Sequence, residues 1–135
     1  MITTIKNNIE FVFNFWSSLS LDPPKAKIVI PYKSSVQTSR LGDSISFTCN
    51  VSGIPVPTIT WMKQNGSGLS EVAADNVKVI PGSGSSQLII EDIAVGDEGY
   101  YICNASSYEF HLDKVFLGVI CKFFLHWFML KLKTI

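Results

Sequence analysis

The sequence predicts an all-β sandwich of two antiparallel sheets. Two observations carry this. Seven or eight short stretches place apolar residues at alternate positions with turn-forming residues between them, and no stretch shows helical periodicity. The 135 residues suffice for one domain of about 100 residues plus flanking segments.

The elements follow in order. Pro23-Pro24 opens the domain, because the second proline disfavours helix at the first. Lys27-Ile28-Val29-Ile30 reads as a first edge strand ended by Pro31, since proline is tolerated at edges but not inside ladders. Ser34 to Thr38 can continue that edge on the other sheet. After the turn Leu41-Gly42-Asp43, Ile45, Phe47, Cys49 and Val51 alternate with Ser44, Ser46, Thr48 and Asn50. This period of two puts Cys49 inside and Asn50 outside.

Gly53-Ile54-Pro55-Val56-Pro57 breaks that ladder. Ile59 and Trp61 then face inward, with Lys63 at the exposed end of the same strand. Gln64-Asn65-Gly66-Ser67-Gly68 turns the chain. Val77 and Val79 mark another strand, and Gly82-Ser83-Gly84-Ser85 a flexible tip. Leu88 and Ile90 form one face of a short strand, with Ile93 capping the core beyond it. Tyr101, Cys103 and Ala105 share the inward parity of the next strand, and Val115, Leu117 and Val119 supply the last.

The flanks differ in character. Residues 1–23 contain the apolar run Phe11 to Trp16, which Asn14 interrupts, with Lys6 the only early cation. A secretory signal needs a basic start and seven to fifteen apolar residues, so a disordered lead or the remnant of a longer chain is preferred over a signal. At the other end, residues 121–135 carry Phe123 to Leu130 with lysines on either side. A spanning helix needs about twenty apolar residues. Reaching that length takes Val115 to Ile120 from the last strand and buries Lys122, costing about 2.5–3.5 kcal/mol near mid-bilayer. An irregular tail is therefore preferred to an interfacial anchor, and either to a true span. Cys121 is the odd cysteine, a candidate for intermolecular pairing or acylation.

Composition excludes several functions. The chain has no net formal charge and 47 % hydrophobic residues, so nucleic acid is not an expected partner. Its two histidines, His111 and His126, have no neighbours at metal-ligand spacing, and no metal or cofactor is expected. The glycines around Gly82 lack the Lys-Ser/Thr of a phosphate loop. Asp97 and Glu98 are adjacent carboxylates that point different ways, with Asp97 suited to holding a turn through backbone hydrogen bonds. No catalytic residue is expected.

From Pro24 to Ile120 the residues resemble the intermediate set of the immunoglobulin superfamily. Gly42 to Cys49 looks like that family's second strand. Gly53 to Lys63 is similar to its G-x-P-x-P-x-x-x-W-x-K segment, and Leu88 to Ile93 to L-x-I-x-x-V. Asp97-Glu98-Gly99-Tyr100-Tyr101-Ile102-Cys103 is similar to D-x-G-x-Y-x-C, and Leu117-Gly118-Val119 stands where a closing L-x-V belongs. The resemblance implies a Greek-key sandwich with a Cys49–Cys103 bridge between the sheets, covered by Trp61. It also implies that Tyr101 turns its hydroxyl back onto the chain near Asp97 and Gly99. Closing a loop of about fifty residues contributes roughly 4 kcal/mol by chain entropy, and such a bridge persists in oxidising compartments.

Asn50-Val51-Ser52, Asn65-Gly66-Ser67 and Asn104-Ala105-Ser106 match the N-glycosylation acceptor pattern. Asn50 and Asn104 each follow an inward cysteine and so point outward, while Asn65 lies on a glycine-rich turn. Together they favour a location outside the cell. One departure from the family stands out. Ser107 and Phe110 occupy positions where members often carry Asn and Gly, so the last hairpin is expected to be reshaped, with Tyr108, Phe110 and His111 near its tip. Exposed loop aromatics are binding anchors; the preferred expectation is that these pack back onto the domain.

The implied role is a non-catalytic protein-recognition module of a cell-surface adhesion or guidance receptor, with a homophilic or heterophilic protein partner. Membrane association would come through a parent receptor or the C-terminal tail. The alternatives are a secreted or matrix protein, an intracellular structural domain of the muscle-filament kind, and an appendage of a larger enzyme.

Overall fold

The computed structural model describes residues 20–30 and 34–121. The apolar run at Phe11 to Trp16, the stop at Pro31 and the tail beyond Cys121 lie outside the described residues. Nine strands run in the order β1 Asp22–Val29, β2 Val36–Arg40, β3 Ile45–Ile54, β4 Thr58–Asn65, β5 Gly68–Glu71, β6 Val77–Gly82, β7 Ser85–Ile90, β8 Gly99–Ser106 and β9 Phe110–Ile120. They form a four-stranded sheet, β1-β3-β7-β6, and a five-stranded sheet, β2-β9-β8-β4-β5.

Alternation sorts side chains between the core and the outside. Phe47 and Cys49 from β3, Leu88 and Ile90 from β7, and Tyr101, Cys103 and Ala105 from β8 are buried. Ala26, Ile28, Trp61, Val115, Leu117 and Ile93 complete the same cluster, with Ile59, Val77 and Val119 half-covered around it. All but Ile93, which follows β7, are inward positions of period-two strands, and burying a large apolar side chain stabilises by about 1.5–3 kcal/mol.

Four features depart from the expected elements. β1 begins at Asp22 and carries both prolines, with an irregular register between Asp22 and Lys25. An edge strand accommodates them because its outer N–H groups are not needed for a ladder. β2 lies in the second sheet, as Ser34 to Thr38 led us to expect, but pairs parallel with β9, from Val36 beside Phe116 to Arg40 beside Ile120. It is the one parallel pair among the described strands. β5 follows the Gly66-Ser67 turn and pairs with β4; all four of its residues are exposed, so no alternation marks it in the sequence. A short 3-10 turn covers Val95–Asp97.

Candidate functional site: the bridged core, the last hairpin and the outer sheet face

Cys49 and Cys103 form a disulfide between the sheets, Cα atoms 6.4 Å apart, across a separation of 54 residues. Trp61 lies directly opposite Cys103 on the neighbouring strand. Its indole N–H donates to Ser86 Oγ at 3.0 Å, which satisfies the one polar group the ring brings into the core. The hydroxyl of Tyr101 donates to the Asp97 carbonyl at 2.7 Å. Burial, with the charge of Asp97 adding to it, raises the Tyr101 phenol well above its ordinary pKa.

Asp97 and Glu98 act separately. Asp97 Oδ2 accepts the Ala94 N–H at 2.8 Å and the Asn76 side-chain amide at 2.9 Å, which holds the turn into β8. Glu98 Oε2 accepts the Val119 N–H at 2.9 Å. Gly99 follows at φ +143°, a conformation that side-chain-bearing residues rarely adopt.

The last hairpin corrects the expectation that its aromatics pack back. Phe110 is 72 % exposed and Tyr108 49 %. His111 behaves otherwise. Its Nδ1 accepts the Ala26 N–H of β1 at 3.0 Å, and Asp113 Oδ2 accepts the Ile28 N–H at 2.7 Å. Both side chains come from inward positions of β9, and they satisfy donors on the outer edge of β1. The sequence carries no signal for this contact, which joins residues 85 positions apart.

Phe110 stands at one end of the outer face of the five-stranded sheet. Along that face run Tyr100 and Phe116, in edge-to-face contact at 4.9 Å, with Lys114 Nζ 5.0 Å from the Tyr100 ring centre. Leu112, Val36 and Leu69 are exposed, and register places each at an outward position. Ile102 also points outward, yet it is only 6 % exposed.

The three sequons differ in setting. Asn50 is exposed on the outside of β3. Asn65 is exposed beside the β4–β5 turn, its side-chain amide donating to Ser70 Oγ at 3.0 Å. Asn104 is half-buried in the middle of the five-stranded face, and its Oδ1 is enclosed without a hydrogen-bond partner. Cys121 is a free, exposed thiol just past β9. Among the described residues no three His, Cys, Asp or Glu side chains are grouped to hold a metal. No helix among them is long and apolar enough to cross a membrane.

Two packed sheets joined by a buried disulfide, with a tryptophan beside it and a tyrosine hydroxyl locking the corner before the second cysteine, define an immunoglobulin-type domain. Residues 24–107 match the family model described as immunoglobulin domain, and the chain belongs to that family. It is 38 % identical over 80 residues to neural cell adhesion molecule L1 of Takifugu rubripes, covering 57 % of this chain and 6 % of that protein. It is 36 % identical over 85 residues to the basement membrane-specific heparan sulfate proteoglycan core protein of Mus musculus, covering 63 % of this chain and 2 % of that protein. Among solved structures, the titin M3 domain superposes with a TM-score of 0.58 at 29 % identity, covering 74 % of this chain and 98 % of that one. The chain thus spans a small fraction of the length of the curated relatives it matches.

Proposed function

We propose that this chain is a non-catalytic protein-recognition module of a cell-surface adhesion receptor, working outside the cell. The observation that carries the reading is the exposure of Phe110 and Tyr108 at one end of a sheet face that also exposes Leu112 and Tyr100. Aromatic side chains bury much area for little rotamer entropy, which makes such a cluster an anchor for a protein partner. The similarity to L1 supports an adhesion role. The bridge between Cys49 and Cys103 and the exposed acceptors Asn50 and Asn65 fit an oxidising, secretory route. Attachment to a membrane would come from a parent receptor or from residues 121–135.

Two other readings have specific support. Likeness to the proteoglycan core protein favours a matrix role, and likeness to titin M3 an intracellular one. One experiment separates them from the proposal. The chain is expressed behind a secretory leader, coated on beads and offered to cell monolayers, beside the variant Tyr108→Ala/Phe110→Ala. Adhesion lost in the variant at unchanged melting temperature supports recognition through this end. Adhesion to deposited matrix alone supports the matrix reading, and free thiols with no glycan on secreted material support the intracellular one.

A further inference from the structure

The β4–β5 hairpin carries a reactive peptide bond beside its glycan acceptor. Asn65 ends β4 and pairs with Gly68 at the start of β5, which leaves Gly66 and Ser67 as a two-residue turn. Gly66 has φ +59°, the conformation that glycine supplies at the first position of a type II′ hairpin turn. Its N–H lies outside both strands, and a Cβ there would meet nothing within 4 Å. Asn65 is exposed, and its side-chain amide donates to Ser70 Oγ at 3.0 Å.

The other asparagines among the described residues sit in closed settings. After Asn50, the Val51 N–H donates to the Gly84 carbonyl at 2.9 Å, and after Asn76 the Val77 N–H donates to the Ala74 carbonyl at 3.1 Å. Both valines are also β-branched, which crowds the backbone beside them. Asn104 is followed by Ala105, buried in β8 between β4 and β9. At Asn65 the following nitrogen can reach the side-chain carbon once a single terminal rung opens.

We propose that Asn65 is a site of hydrolytic deamidation, with water as the reagent, and that a glycan on the same nitrogen blocks the reaction. The Gly66 nitrogen gives its proton to solvent base and attacks Asn65 Cγ. The N–Cγ bond forms, the Cγ–Nδ2 bond breaks, and ammonia leaves with a solvent proton. Water then opens the cyclic imide. Attack at Cγ gives aspartate in an ordinary chain. Attack at the Asn65 main-chain carbonyl gives isoaspartate, with the chain running through Cβ and Cγ. Either product carries a new negative charge and no amide, so the acceptor pattern at Asn65 is erased. With a sugar on Nδ2, ammonia has no route out. Isoaspartate also lengthens the turn by one backbone atom. Loop length fixes hairpin register, and β5 pairs with β4 alone, so β5 is released in that form. Protection by glycan rests on the secretory route proposed above; the chemistry of the turn does not.

The test is peptide mapping of the full folded chain, Cys49–Cys103 bridge intact, during incubation at physiological temperature and mildly alkaline pH. Unglycosylated chain should lose the Asn65 amide about tenfold faster or more than those of Asn50, Asn76 and Asn104, whose neighbouring nitrogens are freed only by local opening. Asn65→Gln should lose its amide far more slowly, because the ring it must close is larger. Chain secreted with a glycan at Asn65 should stay intact there. Secreted Ser67→Ala, which keeps Asn65-Gly66 but not the acceptor pattern, should age like the unglycosylated chain. Glycans are trimmed with an endoglycosidase that leaves one sugar, since cutting the amide bond would itself make aspartate. The isoaspartate form, separated by charge, should lose hydrogen-exchange protection in β5 while β8 keeps it. An Asn65 amide that persists in the folded unglycosylated chain overturns the proposal, and so does equal loss at all these asparagines. Glycosylated chain ageing as fast as Ser67→Ala overturns the protection by glycan, and unchanged β5 protection overturns the release of that strand. Secreted chain that lacks the glycan and still deamidates supports the turn chemistry and counts against the secretory route.

Discussion

Tyr101 shows how much one side chain can hold. Its ring lies in the core, 6.2 Å from that of Phe47, while its hydroxyl donates to the Asp97 carbonyl at the corner. Tyr101→Phe removes that bond at nearly constant volume and should cost about 0.5–1.5 kcal/mol, read as a lowered midpoint in denaturant. Its raised phenol pKa also has a signed consequence. The unfolded chain ionises tyrosine near pH 10, whereas the folded chain keeps Tyr101 neutral beyond that point. Its contribution is therefore full below about pH 10 and is lost as pH rises above it. Denaturant midpoints across alkaline pH should fall, and the fall should be shallower in Tyr101→Phe.

At the scale of elements, β1 is the instructive case. It pairs with β3 on one side only, and an unpaired edge is a template for unwanted strand addition. Here His111 and Asp113 reach across from β9 to take its outer N–H groups at Ala26 and Ile28. Side chains thereby do what a further strand would do, and they close one side of the sandwich. Asp113→Ala should leave the Ile28 amide without its acceptor and cost about 1–3 kcal/mol. Hydrogen exchange checks this: protection should drop at Ile28 and its neighbours in β1 while Leu88 in β7 keeps its rate. Equal loss in both strands would mean global destabilisation instead. Adjacent residues at the start of β9 thus differ, with His111 accepting from β1 and Phe110 exposed.

The whole molecule depends on the bridge at its centre. A 54-residue loop closed in a domain of this size places the Cys49–Cys103 contribution near the total stability of an ordinary domain. Cys103→Ala should cost roughly 2–5 kcal/mol, measured by chemical denaturation of secreted material. Glycan occupancy is decided at the same scale, because it depends on what surrounds each acceptor. Glycosidase treatment and peptide mapping of cell-expressed chain should find Asn65 and Asn50 modified, while Asn104 carries little, since its amide is half-covered. Full occupancy at Asn104 would contradict that ranking.

Much of this domain is legible in the order of its residues. Strand parity puts Cys49, Trp61, Tyr101 and Cys103 on one side, and that placement needs only the period of two and the spacing of turns. The turn into β8 is equally legible, because a carboxylate before a glycine and a tyrosine is a local arrangement. Parity says which way a side chain leaves its strand but not how tall its neighbours are. Ile102 and Asn104 both point outward, and only the packed sheet covers the first and half-covers the second. Edge chemistry is silent in sequence as well. The parallel pairing of β2 with β9, the unalternating β5 and the grip of His111 and Asp113 on β1 all depend on backbone groups. Every residue except proline carries the same N–H and C=O, so their partners are set only when distant segments meet.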